Sequence, residues 1–417
     1  MNKSLYIVAF SLAFATTGIA QNNEGQDKVI DLGTQTTTEL RKTQAVSTIY
    51  SNELDKNAAT SPYNAIYGLL PGLSVMQNTS WGTDKSRLNV RGRGSLNGDT
   101  PLFVVDGFAR PLEYINLSEI ESISVLKDGA ATALWGGRGA NGVVLITTKR
   151  GIYSQKDIKV DYKFGLGFPV NQPEFADAYT YAKARNEALR YDGLQPDMDE
   201  ASFLSGGNSD LYPNVDWQKE ALRNHTTSHQ LDITFRGGGK RLRYFSVLNY
   251  KNDMGLLNSK YTDYTDRYNS QMKKYFLNLR MNLDVDITDA TKLKLSMLGM
   301  LRETKRPTTS EATLFEQIFN TPSAAFPVQT QNGFWGSNNV LKTNPIANLA
   351  DVGYYKLNQR MLQADLRLVQ DLSVLTRGLS AELAIAYDNN ATYQETAKKS
   401  FMYQTIEKGT DGEPIRS

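Results

Sequence analysis

The feature that most constrains this chain is a strict alternation of apolar and polar residues over long segments. From Leu277 to Ile287, Leu, Met, Val and Ile occupy every second position, with Asn, Arg and Asp between them. The pattern recurs at residues 158–168, 231–236 and 362–368. Because side chains on a strand alternate between two faces, each segment predicts a β-strand with one apolar and one charged face.

The length and composition of these strands favour a membrane barrel over a soluble β-sandwich. The longer runs reach the roughly 9 to 11 residues that a tilted transmembrane strand needs, whereas sandwich strands usually have about 5 to 6. None of the apolar faces carries an Arg or Lys, which at mid-depth in a bilayer would cost roughly 2 to 4 kcal/mol. The pattern therefore predicts a transmembrane β-barrel, with a soluble periplasmic β-protein as an alternative.

Residues 1–20 have the pattern of a secretory signal peptide. A lysine precedes an apolar run at residues 5–14, and small residues lie just before Gln21. The apolar run is shorter than the roughly 20 residues that a membrane-spanning helix requires. We therefore expect residues 1–20 to be a signal peptide and residues 21–44 to form a polar periplasmic tail.

Composition argues against several classes of function. The 46 Lys and Arg nearly balance the 44 Asp and Glu, so nothing indicates a nucleic-acid partner. The chain has no Cys, so we expect neither disulfides nor a lipidated N-terminus. Its two histidines, His225 and His229, have a metal-ligand spacing only on a helix, and a strand is predicted there. We expect no metal, no cofactor, no catalytic residues and no enzyme activity.

Residues 45–151, called the plug below, differ from the rest of the chain. Short apolar strands are predicted at 73–77, 87–91, 102–105, 123–126 and 142–148, separated by glycine-rich turns. A helix should begin at Ser61-Pro62 and end near Leu70, and Asp128 should cap another at 130–134. Gly92, Gly94 and Gly98 predict tight turns rather than a phosphate loop, because no helix follows them. An exported small α+β domain followed by amphipathic strands is typical of a barrel with a plug.

Three motifs in the plug resemble signatures of the SusC/RagA family of TonB-linked outer-membrane receptors. They are PLFVVDG at 101–107, EIESISVLKD at 119–128 and RGANGVVLITTK at 138–149. Asp216-Trp217-Gln218 and the strand pair at 226–252 are also similar to the family. The signature residues are Arg91, Gly92, Val104, Val105, Asp106, Gly107, Lys127, Asp128, Arg138, Gly139, Asn141 and Gly142.

The resemblance implies a mostly β fold, with an α+β plug domain followed by an incomplete antiparallel transmembrane β-barrel at 152–417. It implies a receptor in the outer membrane of a Gram-negative, Bacteroidetes-like cell that imports a bulky oligosaccharide or peptide. The implied partners are a TonB-type energising protein, a SusD-like surface lipoprotein and the lipid bilayer. By position, Val29, Ile30, Asp31 and Leu32 are the candidate TonB box, although an inert linker is the alternative reading. A surface binding or adhesion barrel without transport, or a non-functional truncated receptor, remains as an alternative.

Two departures from the family bear on these expectations. Only about seven or eight barrel strands can be placed after residue 157, whereas plugged transporters have about 22. We therefore expect a fragment of a longer protein or the product of an interrupted gene. Many members carry an immunoglobulin-like domain before the box, whereas residues 21–28 alone separate the expected cleavage site from the candidate box here. Gly129 also stands where the family commonly has Ala.

The alternation also predicts which side chains meet the plug. Polar residues on the lumen face should hold it through hydrogen bonds and ion pairs; these are Arg280, Asp284, Asp365 and Arg367. Arg91 and Arg93 predict ordinary ion pairs with the barrel wall, and Glu119 and Glu121 a solvated turn at a strand edge. The long connections at 169–225 and 303–358 are expected to be polar, with a helix at 175–190.

Overall fold

The computed structural model of the chain describes residues 6–13, 29–31, 36–38, 43–56, 59, 61–77, 86–94, 98–263, 268–409 and 414–417, the first three ranges by their backbone alone. Short strands make up the N-terminal part. They are β1 (Tyr6–Ala13), β2 (Val29–Asp31), β3 (Thr36–Thr38), β4 (Val46–Tyr50), β5 (Leu73–Met76), β6 (Arg87–Val90), β7 (Leu102–Val105), β8 (Phe108–Ala109), β9 (Ile120–Leu126) and β10 (Val143–Thr148).

Short helices connect the strands of the plug. They are α1 (Ser51–Leu54), α2 (Pro62–Ala65) and α3 (Gly129–Thr132), with 3₁₀ turns at Leu112–Tyr114, Leu117–Glu119 and Ala133–Gly139. The helix predicted to reach Leu70 ends at Ala65, because Ile66 leaves the helical conformation and Gly68 adopts a left-handed one at φ 73°. Asp128 caps α3 as predicted, accepting a 2.9 Å hydrogen bond from the Ala131 N–H.

The plug is built on a five-stranded mixed sheet in the order β4-β9-β10-β7-β8. The central strand β10 runs antiparallel to β9 and parallel to β7. Its side chains and those of its neighbours are almost fully buried, which explains their Val- and Ile-rich sequences. The core beneath them includes Ile49, Leu54, Ile66, Ile123 and Ile146.

Long antiparallel strands form a second sheet, called the wall. They are β11 (Lys156–Phe168), β12 (Thr226–Gly238), β13 (Leu242–Met254), β14 (Lys273–Asp286), β15 (Thr291–Pro307), β17 (Gly353–Asp371) and β18 (Ser380–Lys398). Seven of the described strands from residue 156 onward thus lie in it, within the predicted number. The order runs linearly from β11 to β18 without closing, so the barrel is incomplete over the described residues.

The predicted alternation is visible in the burial of β14. Asn278 and Arg280 are 0% and 2% exposed, whereas Leu277 and Leu279 are 40% and 46% exposed. The polar face is therefore the enclosed one, and the apolar face lies outside. A sheet with its leucines outward is the arrangement that a lipid environment stabilises.

The strand β1 lies at the free edge of β11, pairing Tyr6–Ala13 with Asp161–Phe168. Most of the predicted signal peptide outside this strand, including its first residues, lies outside the described residues. Removal of residues 1–20 would leave the edge of β11 open for another strand.

The connections between wall strands differ sharply in length at the two ends of the sheet. Short turns occupy 239–241, 287–290 and 372–379 at one end, and long connections occupy 169–225, 255–272 and 308–352 at the other. The long connections contain α4 (Ala178–Tyr191), α5 (Glu200–Ser205), α6 (Trp217–Ala221), α7 (Ser259–Thr262), α8 (Glu311–Asn320), β16 (Trp335–Ser337) and α9 (Pro345–Ala350). The C-terminal strands β19 (Tyr403–Lys408) and β20 (Pro414–Arg416) complete a small sheet, in which β19 pairs with both β16 and β20.

The expectation that these connections are polar was wrong. They share an apolar core in which Trp217, Leu314, Trp335 and Ile346 are almost fully buried. The signal in the sequence was helical spacing, since Leu314 and Ile318 lie four residues apart on one face of α8. The long connections therefore pack together as one folded unit at this end of the wall.

None of the helices within the described ranges has both the length and the apolar character needed to cross a membrane.

Candidate functional site at the plug and wall interface

A buried ion pair joins the plug to the wall. The Glu119 carboxylate accepts 2.5 Å hydrogen bonds from the Arg280 guanidinium and from the Asn278 amide, both on β14. Glu119 is 0% exposed, so the predicted solvated turn was wrong. Asn116 and Glu119 cap the intervening 3₁₀ turn reciprocally, and this capping box holds the carboxylate against the wall.

The electrostatics of this pair are finely balanced. Burial raises the pKa of the Glu119 carboxyl, while the positive charge of Arg280 and the nearby N–H donors act in the opposite direction. Taking two charges out of water costs nearly as much free energy as their attraction returns. The pair therefore orients the plug but adds little net free energy to its attachment to the wall. Loss of one partner would leave the other charge buried without a counter-charge, which is costly.

A second charged contact lies on the plug just after β8. Arg110, which is 4% exposed, donates hydrogen bonds of 2.6 and 2.5 Å to the two carboxylate oxygens of Asp365 on β17. It also donates one of 2.6 Å to Asp388 on β18. A bidentate guanidinium contact constrains both distance and orientation. No local pattern indicated this role for Arg110, because its partners lie more than 250 residues away in the sequence.

The C-terminal end of the plug makes a third set of contacts. The Asn282 amide donates to the Thr148 hydroxyl at 2.9 Å and to the Lys149 carbonyl at 2.7 Å. Arg150 donates to Asp284 at 2.7 Å and to the Ser296 hydroxyl at 3.0 Å. These contacts fix the point where the chain leaves the plug and begins the wall.

The signature turn Asp106-Gly107 serves both the plug and the wall. The Asp106 carboxylate accepts hydrogen bonds from the Thr148 N–H and hydroxyl, at 3.0 and 2.6 Å. The main-chain carbonyl of Asp106 accepts a 2.8 Å hydrogen bond from the Arg367 guanidinium on β17. Gly107 adopts φ 90°, and a Cβ there would lie 2.8 Å from the Arg367 guanidinium. The left-handed backbone conformation therefore favours glycine here, and any Cβ would also displace the end of the Arg367 side chain.

All four predicted lumen residues, Arg280, Asp284, Asp365 and Arg367, contact the plug. Two weaker contacts extend the interface, from Asn249 on β13 to Ser118 at 2.7 Å and from Arg236 on β12 to Glu121 at 3.4 Å. Six consecutive neighbours in the sheet, β12 to β15, β17 and β18, thus touch the plug. An apolar contact of Tyr114 with Phe276, Met300 and Met361 completes it.

Several buried polar atoms in this interface have no hydrogen-bond partner among the described residues. They include the amide oxygens of Asn249, Asn278 and Asn282 and one terminal nitrogen of Arg280. A buried polar group without a partner costs about 1 to 3 kcal/mol.

The two arginines expected to pair with the wall do not do so. Arg93 donates a 3.1 Å hydrogen bond to Asp99, which also accepts one of 2.7 Å from Arg87. The prediction was wrong because the loop 91–99 supplies its own carboxylate. Arg91 and Gly92 form a left-handed turn at φ 57° and 84°, in which the Arg91 N–H donates to the Gly72 carbonyl.

The remaining signature residues have structural roles within the plug. Val104 and Val105 are buried in its sheet. The Lys127 ammonium donates to the Ser47 hydroxyl at 2.6 Å, and the Asn141 amide to the Gly98 carbonyl at 3.1 Å. Gly139 and Gly142 lie close to neighbouring atoms, with Val90 2.9 Å from a Cβ at Gly142, whereas Arg138 is exposed.

The candidate TonB box and one of the two histidines lie outside this interface. Val29–Asp31 pairs with Thr36–Thr38 in a two-stranded hairpin, and Leu32 lies outside the described residues. The His229 ring makes a 2.7 Å hydrogen bond with the Tyr162 hydroxyl. No group of three or more His, Cys, Asp or Glu within the described ranges is arranged to hold a metal ion.

Comparisons with known proteins agree with this architecture. Residues 38–143 match the family model described as the TonB-dependent receptor plug domain. The chain is 29% identical over 283 residues to the TonB-dependent receptor SusC of Bacteroides thetaiotaomicron, which covers 64% of this chain and 26% of that protein. It is 28% identical over 281 residues to the TonB-dependent receptor P26 of Formosa agariphila, covering 66% and 26%. The chain thus spans about a quarter of the length of these curated relatives.

The wall and plug together resemble a solved assembly. The RagAB peptide importer in its open-open state superimposes with a TM-score of 0.70 at 19% identity, covering 88% of this chain and 43% of that one. In sequence and fold, this chain is similar to the SusC/RagA-like TonB-dependent receptors. The proteins named above are two TonB-dependent receptors and a peptide importer. The outward leucines of the wall suit a lipid environment.

Proposed function

We propose that this SusC/RagA-like chain forms the gated part of a receptor that takes up a bulky nutrient, an oligosaccharide or a peptide, across the outer membrane. Uptake would require part of the plug to move away from the wall. A TonB-type protein would supply the energy, and a SusD-like surface lipoprotein would retain the substrate above the plug. Both partners are proposed from the relatives named above.

The observation that carries this proposal is the polar character of the plug and wall interface. Discrete hydrogen bonds and ion pairs, such as those of Glu119 and Arg110, hold the plug in place of a continuous apolar core. A hydrogen bond to a charged group contributes only about 1.5 to 3 kcal/mol net, because water can replace it. A modest pulling force could therefore displace part of the plug while the backbone pairing of the wall stays intact.

The pulling force would act through the candidate TonB box at Val29, Ile30, Asp31 and Leu32. Val29–Asp31 has an extended backbone and pairs with Thr36–Thr38. An extended segment of this kind can leave a short hairpin and add to the edge of a partner's sheet. The segment precedes the first plug strand β4 by about 15 residues, so tension on it would reach the plug directly.

Deletion of residues 29–32 tests this function. We expect the variant to reach the outer membrane and bind substrate normally, but to take up none. A matched deletion of four residues at 22–25 in the same tail should leave uptake unchanged. Uptake that survives loss of residues 29–32 would contradict the assignment of the box, and uptake that is independent of TonB would favour an adhesion barrel.

A further inference from the structure

The outward face of the wall carries a row of lysines next to the long connections. Lys273 on β14 pairs in register with Lys305 on β15, and Lys305 pairs with Lys356 on β17. Each lies an even number of residues from an exposed leucine of its own strand, namely Leu277, Leu301 and Leu362. Because side chains alternate along a strand, the three lysines face the same side as these leucines.

The row lies at the level of lipid head groups. The exposed leucines of the wall, among them Leu277, Leu301 and Leu362, form an apolar belt. Lys273 lies four residues before Leu277, and Lys305 lies four residues after Leu301. Four residues span about 14 Å along a strand, or about 10 Å along the membrane normal at a tilt of about 40°. Tyr275 on β14 lies between this row and the belt, as interfacial aromatics do. The long connections mark this end as the extracellular one, so the row faces the outer leaflet.

Three like charges in adjacent positions repel one another, so a bound anion would lower the electrostatic repulsion within the row. Lys356 forms a 3.1 Å ion pair with Glu303, and Glu395 lies opposite Lys356 and bonds to the Tyr354 hydroxyl. The three lysines and these two carboxylates carry a net charge of +1, and Arg360 adds one more cation at the level of Leu301.

A hollow of about 390 Å³ lies in the apolar belt directly below the patch. Gly299 forms its floor, because nothing lies within 4 Å of a Cβ there. Leu248, Leu279, Leu301 and Leu362 line it, and Arg360 lies at its upper margin, stacked 5.4 Å from the Tyr393 ring. The volume is within the range of about 300 to 1,000 Å³ typical of ligand pockets.

We propose that this surface is a binding site for a phosphorylated lipid of the outer leaflet. The phosphate would lie between Lys273 and Lys305, and one acyl chain would pass Arg360, which pairs in register with Leu301, to fill the hollow over Gly299. Charge complementarity requires an anionic head group, and the adjoining apolar hollow requires a hydrocarbon chain, so neither a free anion nor a neutral lipid satisfies both. The site is separate from the plug and does not depend on nutrient uptake.

Lipid retention by the full chain in non-ionic detergent, measured by native mass spectrometry, tests the proposal. The probes are phosphatidylglycerol, phosphatidylcholine with the same acyl chains, and inorganic phosphate. We expect preferential retention of phosphatidylglycerol, and a loss of about fivefold for each of the substitutions Lys273→Gln and Lys305→Gln, since one cation near a charged surface is worth about 1 kcal/mol. Lys240→Gln, in a turn at the opposite end of the wall, is the matched control and should change nothing.

The hollow is tested separately with Gly299→Leu, which should lower the retention of both lipids without changing the preference between them. Heat-modifiable migration on a gel verifies that each variant is folded. Equal retention of the two lipids by the native chain would overturn the proposal, as would a preference that survives both lysine substitutions. Displacement of phosphatidylglycerol by millimolar inorganic phosphate would also overturn it, because the acyl chain would then contribute nothing.

Discussion

The Glu119 carboxylate of the plug lies 2.5 Å from the Arg280 guanidinium of the wall, and both side chains are almost entirely removed from solvent. This contact joins residues 161 positions apart in the sequence. The position of the plug against the wall therefore depends on the pairing of these two opposite charges as well as on shape. The predictions below follow from it and from the neighbouring contacts.

Glu119→Gln should loosen the plug, because it leaves the Arg280 charge buried without a counter-charge. Breaking one half of a buried pair costs roughly 3 to 5 kcal/mol, so amide exchange in the plug segment 117–126 should accelerate on the order of 100-fold or more. Hydrogen exchange of the detergent-solubilised chain, followed by mass spectrometry, measures this.

Glu121→Gln is the matched control for that substitution. Glu121 is 43% exposed in its side chain and lies 3.4 Å from Arg236, so its exchange should change by less than about fivefold. A double variant, Glu119→Leu with Arg280→Met, should recover much of the protection, since it removes both buried charges. Equal effects of the two single substitutions would contradict the role given to the buried pair.

Arg110→Lys should weaken the plug despite keeping its charge. A lysine ammonium cannot make the bidentate contact with Asp365 while also reaching Asp388, and lost hydrogen bonds to charged groups cost about 1.5 to 3 kcal/mol. We expect faster cleavage of the plug by protease in the folded receptor. Asp388→Asn should have a smaller effect than Asp365→Asn, because Asp388 is 45% exposed and Asp365 only 9%; the reverse order would be inconsistent with this geometry.

Gly107→Ala should lower the melting temperature of the plug. The backbone at φ 90° disfavours any side chain, and the new Cβ would displace the Arg367 guanidinium, which lies 2.8 Å from it. We expect a cost of about 1 to 3 kcal/mol. Gly94→Ala serves as the comparison, since nothing lies within 4 Å of a Cβ there and its φ is not positive. Calorimetry that shows equal melting temperatures for the two variants would refute this prediction.

Asp128→Ala should destabilise the plug by about 1 kcal/mol at neutral pH through loss of the α3 cap. The Ala45 N–H, followed by the Ala131 N–H, lowers the pKa of the Asp128 carboxyl. A lowered pKa means that the stabilisation is present above the unfolded value of about 4 and is lost as the pH falls through the folded value below it. Chemical unfolding of both proteins, monitored by Trp fluorescence at pH 7 and pH 2, should therefore show a larger difference at pH 7 than at pH 2.

The alternation in the sequence predicted the wall and its inward polar residues because a period of two is a local property of a strand. Arg280, Asp284, Asp365 and Arg367 could thus be assigned to the lumen face before any contact was known. The partners could not be predicted, since pairing across the interface depends on how a distant domain is oriented. Arg110 was missed for this reason.

Glu119 shows the limit of local reasoning in a different way. A glutamate before a strand is solvated in most proteins, and only the enclosing wall makes this one buried. The apolar core of the long connections was missed because its residues are spread over several segments, with Trp217 and Trp335 more than 100 residues apart. The amphipathic spacing within α8 was the one local sign of it.

The central claim, that the plug must move from the wall for uptake, can be tested by locking the two together. Ser118 and Asn249 are in direct contact at 2.7 Å, and the chain has no other thiols to interfere. The double variant Ser118→Cys with Asn249→Cys should form a disulfide on oxidation. The account predicts that oxidised cells bind substrate but do not take it up, and that a reductant restores uptake, whereas each single variant behaves normally. Undiminished uptake with the disulfide fully formed would contradict the account.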